Sequence, residues 1–156
     1  MKKLSLLLNV VLIGVIAYGG YKFLIQGSVK ATDDGRTAIM LTAGERDHIL
    51  GDMRGFLETV QGITEALGQG DLKAVADLGT AAGSAAAETA PAALIGKLPL
   101  DFKTLGMDTH SLFDDLAKTA TESNDVATTT AALGDLMLNC TTCHAGYRFD
   151  VAGTGK

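Results

Sequence analysis

Two cysteines and a histidine stand together near the C-terminus, in the run Cys140, Thr141, Thr142, Cys143, His144. On a helix, residues three apart share a face, so both thiols can add to the two vinyl groups along one edge of a porphyrin. The adjacent histidine can then turn its imidazole under the iron as the proximal ligand. Two cysteines separated by two residues and followed at once by histidine form the signature of c-type haem attachment. Two other uses of the pair are weaker. A zinc site needs further good ligands, and the chain has no other cysteine and only two other histidines, His48 and His110. A redox dithiol of the thioredoxin kind is expected beside a strand–helix–strand pattern, which the sequence does not show. The expected cofactor is one haem c, held covalently through Cys140 and Cys143, with His144 on the iron.

The elements that must position these groups read as helices. Thr42 and Glu45 make a capping box, in which hydroxyl and carboxylate satisfy the open backbone donors of a first turn. Behind it Ile49, Leu50, Met53, Phe56, Leu57, Val60, Ile63 and Leu67 recur at three and four residues, one apolar face. Gly68 to Gly70 end that helix and Asp71 caps the next, which begins at Leu72 and dissolves into an Ala/Gly/Ser stretch. Pro91 and Pro99 break the pattern beyond that stretch, so a long connection is expected up to Leu105. A third helix is expected from about Thr109, with Leu112, Phe113, Leu116, Ala117 and Ala120 inward. Asn124 and Asp125 open a fourth, whose Val126, Thr130, Leu133, Met137, Cys140 and His144 fall on one stripe.

The run from Cys140 to Arg148 resembles the haem-binding last helix of the class II cytochromes c, the cytochrome c-prime family with its low-spin, methionine-ligated relatives. The likeness is tight over about ten residues and extends as a helix pattern over residues 42–156. It implies an all-α fold, an antiparallel four-helix bundle with covalently attached haem near one end, preceded here by an N-terminal hydrophobic helix. Cys140, Cys143 and His144 carry over directly, and Tyr147 and Arg148 match an aromatic–basic pair beside the proximal histidine. The resemblance places the residue on the far side of the iron on the first bundle helix, where Met53 is the apolar-face methionine nearest the middle. Met53 is therefore the candidate second metal ligand, its alternative role being core filling. His48 and His110 are lesser axial candidates.

Composition bounds the rest. At 156 residues and 47% hydrophobic, the chain suits one domain with a short extension. Residues 31–156 hold 9 basic and 18 acidic side chains, a net of −9. No basic face exists to meet phosphate, which argues against nucleic acid as a partner; a redox partner protein should instead present a basic docking patch. Met1, Lys2 and Lys3 precede an apolar run to Ile25. Leu4 to Tyr21 is 18 residues, long enough to cross a bilayer core. The expected organisation is residues 1–25 as membrane anchor or signal segment, 26–40 as linker and 41–156 as haem domain. A retained anchor places the domain on the periplasmic side of a bacterial inner membrane. Cleavage after Ala17 or Ala31 would release it as a soluble periplasmic protein.

These readings lead to a periplasmic electron carrier, not an enzyme, able to form a homodimer. The other reading is a five-coordinate, gas-binding protein taking nitric oxide or carbon monoxide, with Met53 only lining its pocket.

Overall fold

The computed structural model describes residues 2–87 and 91–153. The chain is mostly helical and carries a small sheet. Helix α1 (Lys2–Tyr21) runs into a π-helical turn, Lys22–Gln26. Strands β1 (Val29–Ala31) and β2 (Thr37–Leu41) come next. Then come α2 (Ala43–Gln69), α3 (Leu72–Ala82), two short helices α4 (Ser84–Ala87) and α5 (Ala92–Ile95), α6 (Leu100–Ser123) and α7 (Val126–Gly146). The chain turns from α7 directly into β3 (Tyr147–Val151).

The local signals explain most boundaries. Thr42 accepts from the Glu45 amide while the Glu45 carboxylate accepts from the Thr42 amide, closing the expected box on α2. Gly70, at φ 71°, ends α2 in the left-handed conformation that favours glycine. Asp71 and Asp125 cap α3 and α7 by accepting from Ala74 N and Thr128 N.

Two cores result. Ile63, Ala66 and Leu67 of α2, Val75 of α3, Phe113, Leu116 and Ala120 of α6, and Leu133 and Leu136 of α7 make the helical one. Ile39, Leu41, Ile49, Leu94, Leu98 and Phe102 make the second, at the sheet end. Gly79 lets α3 and α6 close on each other, since a Cβ there would lie 2.9 Å from Phe113 O and 3.1 Å from Ala117 Cβ.

Several expectations need correction. The fold is not purely helical, because β2 pairs antiparallel with β1 and parallel with β3, giving the order β1–β2–β3. The stretch expected as a linker, 26–40, is built into that sheet, with Ala38 and Ile39 fully buried. Helix α6 begins at Leu100, since Pro99 stands at its N-cap, where a missing amide costs nothing; the start expected near Thr109 therefore lies well inside α6. The inward stripe of α7 is Thr129, Leu133 and Leu136, while Val126, Thr130, Met137 and His144 are exposed. On α2, Leu57 points outward at 70% exposure. Helix α3 is only 11 residues long against 27 for α2. At the sheet end, Leu94 and Leu98 pack with Ile39 and Leu41 of β2 where a full second helix would otherwise lie.

Candidate functional site

A cavity of about 260 Å³ opens at the sheet end. Leu50 and Met53 of α2 line it, with Phe102 of α6, Cys143 and His144 of α7, and Tyr147, Arg148 and Phe149 of β3. Arg36 and Arg46 complete its wall. The run Cys140 to His144 occupies the last two turns of α7, and the Tyr147 amide donates to Cys143 O as the helix ends. Met53 and Cys143 are half-buried against the second core, and His144 is exposed.

Five of the six expected site residues thus meet at one place: Cys143, His144, Met53, Tyr147 and Arg148. The sixth, Cys140, is half-buried one turn earlier against the helical core and does not line the cavity. Neither cysteine is in a disulfide. Burial pushes the Cys143 thiol up to about 11, with the neighbouring Cys140 adding to the rise, and burial also raises Cys140. A redox dithiol works through a thiolate of depressed pKa, so the pair is poorly placed for thioredoxin-like exchange.

The aromatic wall is tied together. Phe102 meets Tyr147 edge-on at 5.3 Å and Phe149 at 5.6 Å between ring centroids. Burial raises the Tyr147 phenol, with Asp101 and Cys143 acting in the same direction. Arg148 donates to Asp150 Oδ1 from Nε at 2.9 Å and approaches Asp34 Oδ2 at 3.4 Å. Asp34 also takes Arg36 at 2.6 Å and 3.0 Å, and these hydrogen bonds, with one from Thr32, hold its carboxyl well below the usual range. Arg46 has a looser partner, Asp47, at 3.9 Å. Three guanidinium groups on an otherwise apolar and aromatic cavity suit a ligand with an apolar body and anionic edges.

Neither spare histidine reaches the cavity lining. His48 is exposed, 3.7 Å from Asp52. His110 Nδ1 lies 2.8 Å from Ala82 O, and its ring meets Phe56 edge-on at 5.1 Å, which ties α6 to the end of α3. Sequence reasoning missed Arg36, Arg46, Phe102 and Phe149 as lining residues. Tyr147, Phe149 and Val151 alternate with polar residues, the period of a strand, and that signal was available. Arg36 lies in the stretch expected as linker and had none.

Among the described residues, no group of three or more His, Cys, Asp and Glu side chains could hold a metal ion by itself. Comparison with known protein families, curated proteins and solved structures returns no match for this chain.

Proposed function

We propose that the chain is a c-type cytochrome that carries single electrons, anchored by α1 with its domain on the periplasmic side of the membrane. The observation that carries this reading is the meeting of Met53 and His144, from helices far apart in sequence, on the cavity beside Cys143. The donors on the cavity suit a haem: the Cys143 thiol for its vinyl edge, an imidazole and a thioether for the iron, and guanidinium groups for the propionates; Cys140, one turn earlier and outside the lining, would supply the second thioether link. Haem would supply a one-electron change at iron. A histidine–methionine pair leaves no open position and raises the potential, which suits transfer over gas binding.

The chain's own contribution lies in its packing. Cys143, half-buried against the second core, fixes the last turn of α7, and the amide of Tyr147 ends the helix on Cys143 O. The Phe102, Tyr147 and Phe149 rings keep water from one wall. The exposure of His144 leaves an edge of the site open to solvent, where a redox partner can approach.

The gas-binding reading retains one observation: Met53 packs against the second core, as an ordinary core methionine does. Co-expression with a haem-attachment system, followed by haem staining of a denaturing gel, tests the main proposal. Covalent haem is expected on the wild type and not on the Cys140→Ala/Cys143→Ala double variant. A wild type that leaves the gel colourless, or a double variant that stains equally, overturns it. Sharp low-spin bands in the reduced spectrum separate the electron carrier from the broad-banded, five-coordinate alternative.

A further inference from the structure

The apolar helix and the domain are joined without slack. Residues 3–26 form one continuous helical span of 24 residues, mean hydropathy 1.9, with none of its apolar window buried in the protein. The span's last turn is docked. Lys103 Nζ donates to the carbonyls of Phe23 at 2.7 Å and Leu24 at 3.2 Å, and sits 5.7 Å from the Phe23 ring centroid. Gly96 makes room for that ring, since a Cβ there would lie 2.2 Å from Phe23 Cε2. Gly27, at φ 66°, lies so close to the backbone of Lys97, Leu98 and Pro99 that a Cβ would come within 2.6 Å of all three. Ser28 N then donates to Lys97 O at 2.7 Å, and β1 enters the sheet.

The docking point is also the cavity's end of the bundle. Lys103 is next in the chain to Phe102, which lines the cavity, and the sheet that receives β1 also receives β3, the continuation of the attachment helix. Charge is divided along the same axis. Residues 27–54, 91–107 and 139–153, which build the cavity end, hold 7 basic and 7 acidic side chains. Residues 55–82 and 108–138, the far end, hold 2 basic and 10 acidic, a net of −8. Leu100, at the start of α6, is an apolar side chain left 42% exposed at the cavity end.

We infer that the domain rests on the bilayer surface with its cavity end toward the headgroups, held in that attitude by the docked turn at Phe23. An anionic headgroup surface repels the acidic far end and not the neutral cavity end, so electrostatics favour the same attitude. A partner drawn by its own basic patch to the acidic end would meet the chain roughly 24 Å of helix away from Met53, the rise of α2 from there to Gln69. The surface that matters for the cavity is therefore the membrane-facing rim. This inference rests on α1 being retained as a bilayer span, and not on what fills the cavity.

The chain contains no tryptophan, so single tryptophans can report depth in the full-length protein. Val15→Trp marks the span, Leu100→Trp the cavity end and Gln69→Trp the far end of α2. Each is compared in phosphatidylethanolamine/phosphatidylglycerol vesicles with plain acyl chains, with chains brominated near the headgroup, which report on residue 100, and with chains brominated at the methyl end, which report on residue 15. Bromine is expected to quench the tryptophans at 15 and 100 and to leave that at 69 unchanged. A flexible Gly/Ser insertion between Tyr21 and Lys22 should abolish quenching at 100 while preserving it at 15. Quenching at 15 with none at 100, or quenching at 100 that survives the insertion, overturns the fixed attitude while leaving the anchor intact. No quenching at 15 removes the anchor and the inference with it.

Discussion

Met53, on the third turn of α2, and His144, on the last turn of α7, line the same cavity although 91 positions separate them in the chain. Each is held by a separate device. The capping box at Thr42 and Glu45 sets the start of α2, and the parallel pairing of β3 with β2 sets the end of α7. Ligation and packing therefore make different predictions for the same methionine.

If the Met53 thioether ligates iron, Met53→Ala opens the site. The reduced spectrum turns from low-spin to high-spin, carbon monoxide binds quickly and the potential falls, because thioether ligation favours the reduced state. If Met53 only packs, the spectrum is unchanged. Its half-buried position then limits the stability loss to about 2 kcal/mol, the low end for truncating a core methionine. Reduced-state spectra with and without carbon monoxide distinguish the two, and a wild type already high-spin decides against ligation.

His48→Gln and His110→Gln should leave the spectrum as it is, since neither ring lines the cavity. They should differ in stability. His48 sits exposed beside Asp52, so its loss is expected to cost almost nothing. His110 is tied to Ala82 O, and losing that hydrogen bond is expected to cost about 1 kcal/mol. Denaturant titration of the two variants would show the ranking, and equal midpoints would refute it.

Legibility from sequence depended on the range of the physical signal. Caps and helix starts at Thr42, Asp71 and Asp125 are local chemistry and could be read directly. The inward face of α6, from Phe113 to Ala120, was legible in its period. The face of α7 was not, because His144 and Met137 fall on a stripe with Leu133 by spacing alone, whereas burial turns instead through Thr129 and Leu136. Thr129 is fully buried because its hydroxyl donates to Asp125 O within the helix, so a polar letter concealed a core position. The sheet was hidden for a different reason. Its β2–β3 pairing joins residues 110 apart, and three-residue β1 carries too little pattern to announce itself. The same long-range pairing brought Arg36 to the cavity. It also changes the signal-peptide question, since cleavage after Ala31 would remove β1 and the Val29 side chain from the second core.

Gly79→Ala should loosen the α3–α6 contact. The added methyl would press on the Phe113 carbonyl, which is backbone and cannot rotate away, and overpacking of this kind costs about 1–3 kcal/mol. A thermal melt unchanged from wild type would mean that the helices separate without penalty.

Acid should weaken the start of α2. Lys97 donates to both Glu45 oxygens, at 2.6 Å and 2.7 Å, and together with the Thr42 amide it lowers the carboxyl from its ordinary 4.5 to about 2. A carboxyl depressed on folding adds stability that is complete above about pH 4.5 and is lost as pH falls toward about 2. Glu45→Gln should therefore be less stable than wild type at neutral pH, with the difference narrowing across that window. A gap that stays constant from pH 6 to about pH 2 contradicts the assignment.

The cavity arginines should tune the proposed haem together with their carboxylate partners. A positive charge near the iron favours the reduced state, so replacing any of them with glutamine should lower the midpoint potential. Arg36 is held by Asp34 through two hydrogen bonds, and Arg148 is divided between Asp150 and Asp34. Arg46, among the described residues, has only the 3.9 Å approach of Asp47. A guanidinium beside its own carboxylate is nearly neutral at a distance, since the two fields oppose each other. Removing one member of such a pair uncovers the charge of the other, so Arg36→Gln should lower the potential and Asp34→Asn should raise it. Removing both, in Arg36→Gln/Asp34→Asn, should leave it close to the wild-type value, whereas Arg46→Gln alone should lower it. Redox titration of the four variants at low ionic strength, where screening is least, checks the signs. A fall on Asp34→Asn, or a double variant shifted as far as Arg36→Gln alone, would mean that these ion pairs do not govern the charge felt at the cavity.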